Sequence, residues 1–331
     1  IVRRTRQAVT DSVSAQLMSD VPLGVFLSGG VDSACVAAAM RSAGAEVRSF
    51  SAGFEDRRFD ESAYASEAAL HLGTDHSGRT FGGNELFGEL DRVLAHMDEP
   101  LADPSIFPTA LLSRFAREKV TVALGGDGGD ELFCGYPTYL VHKFFPLYGH
   151  VPAFLRKPAF SIADAVLPAG DGNLTFSYKF RKFMDGSELG MPDRHFAWMG
   201  AYNRAKLEKL MPGADLDFSA LSWIGPPPRD EAVCGAEWLD LHTYLMEDVL
   251  QKVDRMSMLS SLEVRVPLLA PSVVKLAFSI PSKMKLRGNR LKGILKNAFE
   301  KDMHPGYFAR PNKGFAVPLS GGLLLMLGLS W

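Results

Sequence analysis

Apolar residues recur at helical spacing at the start of the chain: Val9, Val13 and Leu17 fall on one face of residues 3–19, and Pro22 closes the pattern. A short apolar run, Val25, Phe26 and Leu27, is bounded by glycines, as a buried parallel strand is. An alanine-rich helix is expected over Ala34–Arg41, a second strand over Val47–Phe50, and a helix over Asp60–Leu72 with Gly73 just past its end. Thr80–Phe81 ends another strand. Leu86–Met97 and Phe107–Lys119 read as helices, and Val120–Leu124 as a further strand. Strands alternating with helices predict an α/β fold, a parallel sheet with helices on both faces.

The texture changes after residue 136. Residues 137–240 are rich in proline, aromatic residues and methionine and show no strand pattern, so we expect a helical insertion. Trp238–Leu262 predicts a long helix or helix pair, and Val273–Phe278 and Leu291–Lys301 further helices. The expected organisation is a nucleotide-binding α/β core over 1–136, the insertion over 137–240, a largely helical portion completing the site over 241–319, and an atypical tail over 320–331.

Composition narrows the class. The 331 residues are 47% hydrophobic, enough for a large core. Lys and Arg number 36 against 38 Asp and Glu, a net charge of -2, so no basic surplus advertises nucleic acid or an anionic membrane. Cys35, Cys134 and Cys234 are widely spaced, which argues against a disulfide framework or zinc ribbon and for a cytoplasmic setting. The apolar run Leu323–Leu329 falls far short of the roughly 20 residues that span a bilayer. A chain that opens on Ile1, directly into a helical pattern, is expected to be a piece of a longer protein.

Chemistry concentrates in two glycine-rich segments. Ser28-Gly29-Gly30-Val31-Asp32-Ser33 lies between a strand and a helix, where backbone N–H groups, the helix N-terminus and the two serine hydroxyls can cradle a pyrophosphate. Asp32 would repel a bare anion and makes sense as a ligand of Mg²⁺. Gly125-Gly126-Asp127-Gly128-Gly129-Asp130-Glu131 follows the strand Val120–Leu124, at the end of the sheet where open α/β folds bind ligands. Neither segment is a Walker A loop or a G-x-G-x-x-G fingerprint.

The first segment resembles the PP-loop of the ATP pyrophosphatase superfamily, which cleaves ATP between the α and β phosphates. Leu124–Tyr136, reading LGGDGGDELFCGY, is similar to the second signature of asparagine synthetases. So are residues 252–269, KVDRMSMLSSLEVRVPLL, the pair Asp98-Glu99-Pro100 and Asp103-Pro104-Ser105, and Lys313–Leu319. Ala270 departs from the family's usual Asp.

The resemblance implies roles by position. Ser28, Gly29, Gly30, Asp32 and Ser33 would bind the pyrophosphate moiety of ATP, and Asp32 and Asp130 would hold Mg²⁺. Phe26 or Leu27, with Ser51 and Ala52, would line the adenine site, and Gly125 and Gly126 would lie near the nucleotide. Lys292 would neutralise the β and γ phosphates, Asp127 would take part in forming or consuming the intermediate, and Glu263 would be catalytic. Read without the resemblance, Lys292 is a lysine on a solvated helix face. The implied reaction joins a small-molecule carboxylate, aspartate by default, to ammonia through an acyl-adenylate, releasing AMP and pyrophosphate. The family's N-terminal glutaminase domain is absent from this sequence. Amidation of a related carboxylate, ring closure of β-lactam or lasso-peptide type, and a truncated ATP-binding module without activity are the alternatives.

Overall fold

The structure, a computed structural model, describes residues 1–57, 60–152, 154–156, 176–200, 202–214 and 218–310. The motif at 313–319 and the tail at 320–331 lie outside the described residues, as does much of 153–175. The chain divides into two units, one formed by residues 1–135 with those from 243 onward, the other by 136–242.

The first unit is built on five parallel strands: β1 (Leu23–Phe26), β2 (Arg48–Phe54), β3 (Asp75–Phe81), β4 (Val122–Leu124) and β5 (Glu263–Arg265), in the spatial order β3-β2-β1-β4-β5. Phe26 pairs with Phe50, Val25 with Leu124, and Leu124 with Arg265. Side chains alternate across the sheet. Phe26, Phe50, Ala52, Ala123 and Val264 pack with Leu112 and Ala116 of the helix Ile106–Arg117. The helix Val31–Ser42 is buried from Ala34 through Met40 and packs on the helix Val2–Gln16 by way of residues such as Val9 and Val13. Each large apolar side chain withdrawn from water, such as Phe50 or Leu112, adds about 1.5–3 kcal/mol before entropy is charged against it, and each alanine less. The fold is therefore α/β, as the pattern of apolar runs predicts.

Several boundaries move. The helix expected over Leu86–Met97 is two, Gly83–Gly88 and Leu90–His96. Between them Glu89 is buried and pairs with Arg92 and Arg114. β5 is a strand that the apolar pattern does not predict, and the long helix or helix pair expected up to Leu262 stops at Met258.

The second unit is helical among its described residues, with helices at Pro137–Gly149, Phe176–Ser187, Asp193–Met199, Arg204–Leu210 and Ala232–His242. A polar chain runs through its interior. The Tyr139 hydroxyl donates to Asp240 Oδ2 at 2.6 Å, His195 Nε2 meets Asp240 Oδ1 at 2.8 Å, and His142 Nε2 meets His195 Nδ1 at 3.0 Å. All four are buried, and His142 Nδ1 has no partner among the described residues. Burial, followed by repulsion from His195 and Arg194, lowers the His142 pKa to about 2.

Candidate active site

In the first unit the strand order reverses between β1 and β4, the switch point at whose strand carboxyl ends open α/β sheets bind ligands. β1 runs into Ser28–Ser33 and β4 into Gly125–Glu131, so the topology brings the two glycine-rich segments together.

The first segment is tied to itself. The Ser33 hydroxyl accepts from Ser28 N at 3.2 Å and meets the Ser28 hydroxyl at 3.0 Å, and that hydroxyl accepts from Gly30 N at 3.2 Å. Gly29 has φ +79°, and a Cβ there would come within 2.7 Å of Ala65 N and Tyr64 Cβ. Only glycine satisfies both conditions. The turn delivers the chain to Gly30, the residue that precedes the helix Val31–Ser42, so that helix's unpaired N–H groups face the cradle.

Behind the cradle lies an ion-paired cluster. The Lys292 ammonium pairs with Asp32 and, at 2.7 Å, with Asp130 Oδ1. Lys292 is 3% exposed and sits in the left-handed region (φ 55°), where it opens the helix Gly293–Phe299. Its backbone N–H donates to the Cys134 carbonyl, which fixes the turn just after the acidic segment. Gly129 and Gly135 permit the close packing. A Cβ at Gly129 would collide with the Asp32 carboxylate, and one at Gly135 with both Asp130 and Lys292. Burial lifts the Asp32 carboxyl to about 6 against the pull of Lys292, and Asp130 lifts it further. For Lys292, burial works to lower its pKa, but the two carboxylates prevail and hold it above the ordinary lysine value. One ammonium therefore neutralises two acids, and Asp32 Oδ1 is left buried with no partner among the described residues.

A second cluster borders Asp127. Lys252 Nζ donates to Asp103 Oδ2 at 2.6 Å, and Asp248 faces this pair with its Oδ1 buried and unpartnered among the described residues. Burial, followed by the charge of Asp103, raises Asp248 to about 6. Burial also raises Asp127, with Lys252 drawing it down and Asp130 adding to the rise.

Other expected residues are placed elsewhere. Leu27 has no exposed surface, and its N–H is held by the Phe50 carbonyl. Ser51 is 2% exposed, with its hydroxyl 3.2 Å from His76 Nε2. Phe26 and Ala52 pack against the apolar core. The side chains of these four are therefore taken up by the sheet and its core, β1 and β2 being interior strands. Glu263 stands outside the Lys292 cluster. Its carboxylate is exposed and pairs with Arg265 at 2.6 Å, while Arg265 also donates to the Gln16 and Met18 carbonyls.

The asparagine synthase family matches residues 4–327. The chain belongs to the asparagine synthase family. It is 30% identical over 323 residues to asparagine synthetase [glutamine-hydrolyzing] 1 of Bacillus subtilis, covering 96% of this chain and 50% of that protein. The putative asparagine synthetase [glutamine-hydrolyzing] of Mycobacterium tuberculosis H37Rv is 30% identical over 325 residues, 97% of this chain and 49% of that protein. Asparagine synthetase B of Escherichia coli is 33% identical over 148 residues, 40% and 26% respectively. The chain spans about half the length of the first two relatives.

Asp248 is the member of this candidate site that sequence reasoning missed. It carries no glycine or motif signal, and only the fold sets it against Asp103 and Lys252. No helix among the described residues is long and apolar enough to cross a membrane. Among them, no three His, Cys, Asp or Glu side chains form a ready metal cage. Mg²⁺ does not require one. It is usually held by one or two carboxylates, with phosphate oxygens and water completing the shell. The orphaned Asp32 Oδ1 beside Asp130 fits that donor set.

Proposed function

We propose that the chain forms an amide bond at the expense of ATP, by way of an acyl-adenylate, with aspartate and ammonia as substrates and asparagine, AMP and pyrophosphate as products. The observation that carries the reading is Lys292, a buried ammonium shared by Asp32 and Asp130 beside the cradle Ser28–Ser33. Charge neutralisation beside a phosphate site is what adenylation asks of a protein.

In the first step a carboxylate oxygen of aspartate attacks the α-phosphorus and the bond to the β-phosphate oxygen breaks, releasing pyrophosphate. The serine hydroxyls and the N–H groups of the loop hold the departing phosphates, and Lys292 offsets the charge that grows on them. Asp32 and Asp130 would hold Mg²⁺, which when bound supplies Lewis-acid neutralisation of the phosphates. In the second step ammonia attacks the acyl carbon, and the bond between that carbon and the adenylate oxygen breaks, releasing AMP. In this reading Asp127, whose carboxyl burial holds above its usual range, accepts a proton from the attacking ammonia. Asp248 and Asp103 can receive the substrate's ammonium and Lys252 a carboxylate, which suits an amino acid better than a simple acid.

The relatives' names include glutamine hydrolysis, which needs a reactive thiol. The chain has three cysteines, all buried, and burial raises Cys35 well above the ordinary thiol value. In this reading the chain consumes ammonia and does not generate it. Pyrophosphate exchange into ATP that depends on aspartate supports the proposal; exchange that is absent, or indifferent to aspartate, refutes it.

A further inference from the structure

The helix Gly293–Phe299 and the chain behind it enclose a depression of about 760 Å³ that the proposed reaction does not use. That volume lies in the range of small-molecule sites, about 300–1,000 Å³. Lys296 forms its floor. The residue is 5% exposed, and its ammonium has no hydrogen-bond or ion-pair partner among the described residues. Burial, followed by repulsion from Arg290 and then Lys292, lowers its pKa. Arg310 forms one wall. It pairs with Glu67 and lies over the rings of Tyr64 at 4.5 Å and Tyr307 at 4.6 Å, yet its Nη1 is buried with no acceptor among the described residues. Arg290, at the exposed rim, reaches Asn297 at 3.3 Å.

The acids nearby do not answer these cations. Glu67 is already held by Arg310 and, at 2.7 Å, by His304. Glu300 lines the depression but is exposed, with no ion pair among the described residues. Lys296 thus has no ion-pair partner among the described residues and Arg310 keeps one donor unused beside its pair with Glu67, and a guanidinium favours planar, multi-oxygen anions.

We propose that this depression is a second anion site, in which Lys296, Arg310 and Arg290 bind the phosphate groups of a small ligand. The shared chemistry is phosphate, supplied as a free anion or as part of a nucleotide. Tyr307 lines the same depression and holds the Gly29 carbonyl, so a ligand seated there contacts a support of the pyrophosphate cradle.

Calorimetric titration of the chain with pyrophosphate, orthophosphate, AMP and acetate tests the site. The catalytic loop is disabled by combined Ser28→Ala and Ser33→Ala, so that binding at the cradle is not mistaken for it. This background is expected to keep one site for a phosphate-bearing probe and none for acetate. Adding Lys296→Met should weaken it at least about tenfold, as loss of a buried charge partner does. Binding by pyrophosphate or orthophosphate identifies a free anion as the ligand; binding by AMP alone identifies a nucleotide. Arg290→Ala, at the exposed rim, should weaken the same site without disturbing the fold. Unchanged affinity in both variants, equal binding of acetate, or no binding in the loop-disabled background overturns the proposal.

Discussion

The Tyr307 hydroxyl donates to the Gly29 carbonyl at 2.7 Å, across 278 residues of chain. Tyr307 is 3% exposed, so the bond is sheltered from water. It bears on the one residue of the phosphate cradle that combines a left-handed backbone with contact to Tyr64 and Ala65. Tyr307→Phe removes the donor and little else. A sheltered hydrogen bond contributes about 1 kcal/mol, so pyrophosphate exchange at saturating ATP should slow by about fivefold with thermal stability nearly kept. Exchange at the wild-type rate would show that the other contacts of Gly29 suffice to place the loop.

Lys292 carries a heavier burden, because it is the only cation that ion-pairs with Asp32 among the described residues. Lys292→Met leaves a buried carboxylate unpaired, which costs about 3–5 kcal/mol. Urea unfolding should register that loss, and exchange should vanish. Adding Asp32→Asn removes the stranded charge, so stability should return while exchange does not. A Lys292→Met protein as stable as wild type would mean that Asp32 is neutral or solvated at that position.

The apolar pattern revealed the centre of this site and missed its edges. β1, its loop and the following helix are legible because Val25-Phe26-Leu27 is a continuous apolar run and Gly29-Gly30 interrupts it. β5 is not, because Glu263-Val264-Arg265 offers one apolar residue to an edge strand of three. β3 shows only at its Phe81 end for a related reason: it is the opposite edge, and Asp75 through Thr80 are polar or glycine. Lys292 reads as a surface lysine by spacing alone. Its burial depends on the left-handed turn before Gly293 and on carboxylates 162 and 260 residues earlier in the chain, and neither leaves a local mark.

Asp248 provides a test of substrate class. Asp248→Asn removes a charge proposed to meet the amino group of aspartate. The KM for aspartate should rise by about tenfold or more, with the KM for ATP little changed. An equal rise in both would place Asp248 in general support of the site.

Acid should weaken the helical unit through His142. Its folded pKa, about 2, lies below the ordinary 6.5, so between those values the unfolded chain binds a proton that the folded chain refuses. Stability therefore rises with pH across that window and falls on acidification below about 6.5, by roughly 1.4 kcal/mol per pH unit from this residue. Urea unfolding of wild type and His142→Gln between pH 5 and 7 measures the difference in slope. Parallel slopes would assign the acid sensitivity to other groups.

The account as a whole rests on an oxygen atom passing from the substrate carboxylate to AMP. Aspartate labelled with ¹⁸O in its side-chain carboxylate, incubated with the chain, ATP, Mg²⁺ and ammonium, should yield asparagine and AMP that carries one ¹⁸O in its phosphate. Unlabelled AMP, or ADP with orthophosphate in place of AMP with pyrophosphate, would contradict it.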